Sequence, residues 1–140
     1  MPTFEQMYSL HRYYVWCDLM KKHFIQTVQQ KQSGTLDAEL TKLLAQSYMC
    51  YWDGGLYVVI EGYDDLELAD PAIDQLLVSR NKKLLKCFRH GVFHYQRRYF
   101  DKRFMNFMTQ GENVIQWVES LHREFDRLFA AHSATLTPKS

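Results

Sequence analysis

The sequence predicts an all-α protein, an up-and-down bundle of four to five helices. Three observations carry the prediction. Apolar residues recur at helical spacing through most of the 140 residues. Breakers separate the periodic stretches at Ser33-Gly34, Pro71 and Gly111, although Gly54, Gly55, Gly62 and Gly91 fall inside them. Nine Tyr, nine Phe and three Trp supply enough apolar surface for one domain with one sizeable core. No internal repeat or linker divides the chain. The expected organisation is a single helical domain over residues 1–133 and a flexible tail over 134–140, which ends in Pro-Lys-Ser.

Each element has its own signal. A first helix is expected from about Thr3 to Gln32, with Thr3 as its cap and Leu10, Tyr14, Cys17, Phe24 and Val28 on one stripe. A second starts after Thr35, with Leu36, Leu40, Leu43, Leu44, Ser47 and Tyr51 in register. Residues 54–60 read two ways. Gly-Gly-Leu-Tyr-Val-Val-Ile has a strand's composition, and each glycine costs a helix about 1 kcal/mol relative to alanine. Yet Tyr51, Gly55, Val58, Val59 and Gly62 continue the helical stripe, and small residues let two helices approach closely, so helix is the expectation. A short helix follows at about Asp70–Ser79, with Pro71 in its first turn. A basic helix is expected at about Asn81–Arg97 and a shorter one at about Phe100–Met108. The last, about Glu112–Ala131, places Val114, Val118, Leu121, Phe125 and Leu128 on its core face.

The net charge of +1 hides a segregation. Residues 80–103 hold nine Lys and Arg against the single Asp101, a surplus of eight positive charges. Residues 53–74 hold seven acids and no Lys or Arg. The basic segment has a polyanion-binding composition. The alternative is that the two segments pair with each other or with a second copy. Cys17, Cys50 and Cys87 are odd in number and unpaired in spacing, so they read as reduced thiols, not as a disulfide framework or a zinc knuckle. The start of the chain lacks a signal-peptide pattern, and the apolar run 56–60 is too short to span a bilayer. The expected location is the cytoplasm, away from membranes.

The chemistry concentrates in Arg89-His90-Gly91-Val92-Phe93-His94. Arginine grips phosphate with a planar fork of donors, and histidine moves protons near neutral pH. At about 100° per residue, Leu84, Leu85, Phe88, Val92 and Tyr95 fall on one arc, the expected core face. Lys82, Lys83, Lys86, Arg89, His90, Phe93, His94 and Arg97 fall on the other side, with Arg89 and His94 about 140° apart. A solvated charged face explains the cations alone. A phenylalanine at the centre of that face invites a partner, either a second copy or a stacking base. His90 and His94 also stand at a spacing that can chelate a metal, although no clustered Cys or carboxylate completes a site. His11, His23, His122 and His132 lie singly on helices and read as surface or core-edge residues.

This six-residue motif resembles that of the HEPN superfamily (higher eukaryotes and prokaryotes nucleotide-binding). The family's mark is an arginine, usually followed by a polar residue, then a histidine after four to six intervening positions. Arg89, His90 and His94 match those three positions, and the expected bundle fits nearly the whole chain. The resemblance implies a metal-independent endoribonuclease without cofactor, often a toxin or a phage-defence element. It implies a homodimer whose two motifs meet in one cleft, RNA as substrate, and a cognate antitoxin or nucleotidyltransferase as further partner. Some relatives carry a tyrosine two residues after the histidine for such modification; here that position is Gln96, with Tyr95 beside the histidine. On this reading Arg89, His90 and His94 are catalytic, while Lys82, Lys83, Lys86, Phe93 and Arg97 bind nucleic acid. The alternatives are a catalytically silent RNA- or nucleotide-binding domain of the same fold and a protein-interaction domain.

Overall fold

The computed structural model describes residues 1–34 and 37–136, with side chains through 133. All regular structure among these residues is helical. Six helices follow one another: α1 (Phe4–Ser33), α2 (Ala38–Asp65), α3 (Pro71–Leu77), α4 (Asn81–Phe93), α5 (Lys102–Gln110) and α6 (Val114–Leu136). That is one or two more than the four to five expected for the bundle, although each of the six segments matches a helix expected from the sequence. The expected positions of Thr35 and Leu36 lie outside the described residues, as does most of the 134–140 tail. Within that tail α6 continues to Leu136.

The caps follow the chemistry of helix ends. Thr3 and Gln6 form a reciprocal capping box, and Gly34 closes α1 in the left-handed conformation at φ 72°. Asp37, Asp70 and Asp101 accept the first free backbone N–H groups of α2, α3 and α5.

Residues 54–60 are helical, and the glycines explain why. A Cβ on Gly54 would lie 2.9 Å from the Phe93 ring, and one on Gly55 would touch Cys17 at 3.5 Å. A Cβ on Gly62 would run into Leu10. The α2 stripe is therefore small where α1 and α4 lie against it, and tight packing offsets the weak helix propensity. Leu10 against Gly62, Cys17 against Gly55 and His23 against Tyr48 run in opposite order, so α1 and α2 form an antiparallel pair. Leu56, Ile60, Leu121 and Phe125 are fully buried where α6 closes over this pair. The α2 stripe is only partly core, however: Leu40, Leu43 and Tyr51 stay about half exposed.

Beyond this pair, α4 lies antiparallel to α2. Phe88 fills the space between them and α5, with its ring 5.8 Å from Phe104 and 5.2 Å from Phe107. Asn81 is fully buried and bonds both the N–H and the carbonyl of Glu112 (2.9 and 2.7 Å), which ties the start of α4 to the turn before α6. On the predicted core arc of α4, Leu85 and Phe88 are buried and Leu84 and Val92 half-buried. Tyr95 is not core at all: it is 92% exposed, because α4 ends at Phe93 and His94 is already extended (φ −127°, ψ 129°). The expected helix to Arg97 is thus one turn too long. α5 folds back onto Gly91, whose Cβ would meet Phe104 at 3.0 Å, so the chain needs residues 94–101 to reverse direction.

Candidate functional site

The motif sits on the last turn of α4 and the first residues after it, and the fold divides it. Arg89 turns toward α2. Its Nη1 donates to Glu61 Oε2 at 2.9 Å, and its guanidinium carbon stands 5.0 Å over the Tyr57 ring. Its Nε–H is buried without a hydrogen-bond partner among the described residues. Lys82, two turns earlier, pairs with Asp64 at 2.7 Å. The expectation of one free cationic face opposite the core is therefore wrong for these two residues. The acidic stretch of α2 lies alongside α4 and neutralises them, which is the pairing of basic and acidic segments weighed from the sequence.

Phe93 is also displaced from its expected place. It lies against Gly54 and 6.1 Å from Tyr51, about half exposed, at the rim of an apolar groove shared with Trp16, Met20 and Val58. His90 and His94 point elsewhere. Their rings stack at 4.5 Å with a 26° interplanar angle, both exposed. No hydrogen bond among the described residues joins Arg89 to either imidazole. Partial desolvation, then the charges of His94, Arg103 and Arg89, hold His90 below the ordinary histidine range. His90 is accordingly neutral near pH 7, a proton acceptor beside a second imidazole.

Lys83, Lys86 and Arg97 are exposed and carry no ion pair with any described residue. Arg103 of α5 bonds Gln96 Oε1 at 3.1 Å, and Gln96 donates to the His94 carbonyl at 2.9 Å. These two bonds anchor the segment that follows His94. Beneath it lies a cleft of about 400 Å³ between α2, the end of α4 and α5, with His94 and Arg98 at its wall. Asp101 pairs with Arg103 at 3.2 Å and is not aimed at the imidazoles. Among the described residues no group of three or more His, Cys, Asp or Glu side chains could hold a metal ion. Among those residues no helix is long and apolar enough to cross a membrane.

A second polar cluster was not legible as such. His122, read as surface or core-edge, is 1% exposed at the junction of α1, α2 and α6. Trp52 Nε1–H donates to His122 Nδ1 at 3.1 Å. That bond fixes the proton on Nε2, which donates to Asp18 Oδ1 at 2.9 Å. Burial holds the imidazole below its ordinary range, so it is neutral. Cys17 Sγ stands 3.9 Å from Nδ1, a thiol–imidazole–carboxylate order that resembles a nucleophile site. The chemistry is absent, because the indole already occupies the imidazole lone pair and burial pushes the Cys17 thiol far up. One turn either side, the Tyr14 hydroxyl donates to Asp126. The cluster is a polar clamp between helices. Its only sequence signal is the spacing of Tyr14, Cys17 and Asp18 on one helix and of His122 and Asp126 on another. Asp53 of α2 is a further buried acid, 5% exposed, without hydrogen bond or ion pair to any described residue.

No protein-family model, curated protein or solved structure matches this chain.

Proposed function

We propose that the protein is a metal-independent endoribonuclease that acts on RNA as a homodimer, with the end of α4 as its reactive surface. The observation that carries this reading is the exposed His90–His94 stack, one imidazole held neutral, with Lys83 and Lys86 earlier on α4 and Arg97 just after it, cations without an ion pair to any described residue. RNA brings its own nucleophile in the 2′-hydroxyl. A neutral imidazole takes that proton, the 2′-oxygen attacks phosphorus, and the P–O5′ bond breaks. The leaving 5′-oxygen takes a proton from an imidazolium, which leaves a 2′,3′-cyclic phosphate and a free 5′-hydroxyl. Arg89 stabilises the charge that grows on phosphorus. Only its Nη1 is committed to Glu61, so the guanidinium reaches a phosphate by exchanging one carboxylate partner for another anion. The half-exposed Phe93 and Trp16 support a second copy as the cover of the apolar groove that they rim, next to the reactive end of α4.

Single-turnover cleavage of a mixed-sequence RNA with EDTA present tests the reading. Wild-type protein is expected to cleave and His94→Ala is not. Undiminished cleavage by an Arg89→Ala/His94→Ala double variant would falsify the assignment. A second reading, an RNA-binding domain of the same fold without catalysis, is favoured by the Arg89–Glu61 pair, which occupies the guanidinium in the free protein. Salt-dependent RNA binding with no cleavage would select it.

A further inference from the structure

The segment Tyr95-Gln96-Arg97-Arg98-Tyr99-Phe100 interleaves aromatic and cationic side chains and has no regular structure. Its three rings are 92%, 78% and 74% exposed, far more than rings that serve packing. Tyr99 and Phe100 stand edge to face at 4.9 Å and 85°, which leaves ring faces open to solvent. The segment is nevertheless held in place, because Arg103 and Gln96 bond it from below. The same three rings line the cleft of about 400 Å³, together with Phe104 and the thioethers of Met105 and Met108. That volume and lining suit a planar, partly apolar ligand.

Charge selects the ligand class. Arg97, Arg98 and Lys102 carry no ion pair with any described residue, and the acid nearest them in sequence, Asp101, pairs with Arg103. Aromatic faces beside unpaired arginines are the two elements that bind unpaired nucleotides: stacking on the bases and Coulomb attraction along the backbone. A duplex cannot use them, since its bases are stacked inside and an A-form major groove is too narrow for side chains.

We propose that the cleft beneath residues 95–100 takes an unpaired base of single-stranded RNA, with Tyr95, Tyr99 and Phe100 as its stacking platform and Arg97 and Arg98 on the flanking phosphates. This rests on RNA being the ligand class of the proposed function, and it makes the protein selective for single strands. His94 lines the same cleft, so a base seated there places an adjoining phosphodiester at the imidazole stack.

The test uses the full chain and a fluorescently labelled ten-nucleotide 2′-O-methyl RNA, which lacks the free 2′-hydroxyl and is not cleaved. Anisotropy is compared for the single strand and its duplex. Binding to the single strand is expected to be at least about tenfold tighter, and Tyr99→Ala/Phe100→Ala should weaken it by about tenfold or more while duplex binding stays unchanged. Both rings are exposed, so circular dichroism of the variant should match wild type. Equal affinity for the two forms, an unaffected double variant, or no binding of either oligonucleotide overturns the inference. If cleavable RNA is still cut at the wild-type rate by that variant, the ribonuclease reading survives the loss. Strand-selective binding that the variant loses, without any cleavage of natural RNA, upholds the cleft and removes the catalytic reading instead.

Discussion

Asp53 should make the protein less stable as pH rises from 4 to 8, and Asp53→Asn should remove that dependence. Asp53 is 5% exposed and its carboxyl group has no hydrogen bond or ion pair to any described residue, and burial pushes its pKa up to about 7. In an unfolded chain an aspartate titrates near 3.9. Between these values the folded state keeps the proton and the unfolded state has lost it. The native state then binds more protons than the unfolded state, so stability is greatest below about pH 4 and falls as pH rises through about 7. A slope of about 1.36 kcal/mol per pH unit over that window integrates to about 4 kcal/mol, an upper figure because a buried site relaxes and admits water. Asparagine keeps the shape but cannot ionise. Urea unfolding of both proteins at pH 4, 6 and 8 isolates the contribution, since every other titrating group cancels in the difference. The variant should gain on wild type by several kcal/mol between pH 4 and 8. A difference that stays flat across that range would show that Asp53 is solvated or partnered in solution, and the argument from burial would fail.

Four shorter predictions follow from the same contacts. Phe88→Ala removes a ring packed against Phe104 and Phe107 and should cost about 3–5 kcal/mol by denaturant titration; an unchanged midpoint would take Phe88 out of the core. Glu61→Gln should raise the affinity for RNA at low salt by freeing Arg89, at a stability cost below about 1 kcal/mol because the pair is partly exposed; unchanged binding would make that ion pair purely structural. His122→Gln should destabilise by about 1–3 kcal/mol at pH 7 by disturbing the bonds to Trp52 and Asp18, read by thermal unfolding, and a neutral result would refute the clamp. Sedimentation at micromolar concentration should report a dimer, which Phe93→Asp should weaken; a clean monomer would count against a site shared between two copies.

The sequence made the helices legible because their signals are local. Thr3 caps α1 as expected and the stripe from Leu10 to Cys17 is buried as its period requires, whereas α2 is capped by Asp37, two residues beyond the expected start after Thr35. Residues 54–60 were resolvable only by weighing composition against period, and period won because Gly54, Gly55 and Gly62 serve close packing. The end of α4 was not legible. A wheel extended through Tyr95 assumes the helix continues, whereas the return of α5 onto Gly91 is a long-range contact with no local mark. The Trp52–His122–Asp18 chain was missed for a similar reason: its members lie on three helices and meet only after packing.

The charge pattern shows how far composition reaches toward function. A surplus of eight positive charges in residues 80–103 suggested one cationic face. The fold instead sorts those charges by direction. Lys82 and Arg89 turn inward to Asp64 and Glu61, where they align α4 along α2. Lys83, Lys86, Arg97 and Arg98 are left on the outside without ion pairs to described residues. Only the second set can release counterions from a bound polyanion, so it sets the salt dependence of binding. Replacing Lys83 and Lys86 together by alanine should lower the slope of log K against log salt by about 1.4, about 0.7 for each phosphate contact on a single strand, while Lys82→Ala should leave it nearly unchanged and cost stability instead. A slope that responds to Lys82 as strongly as to Lys86 would mean that α4 separates from α2 when RNA binds.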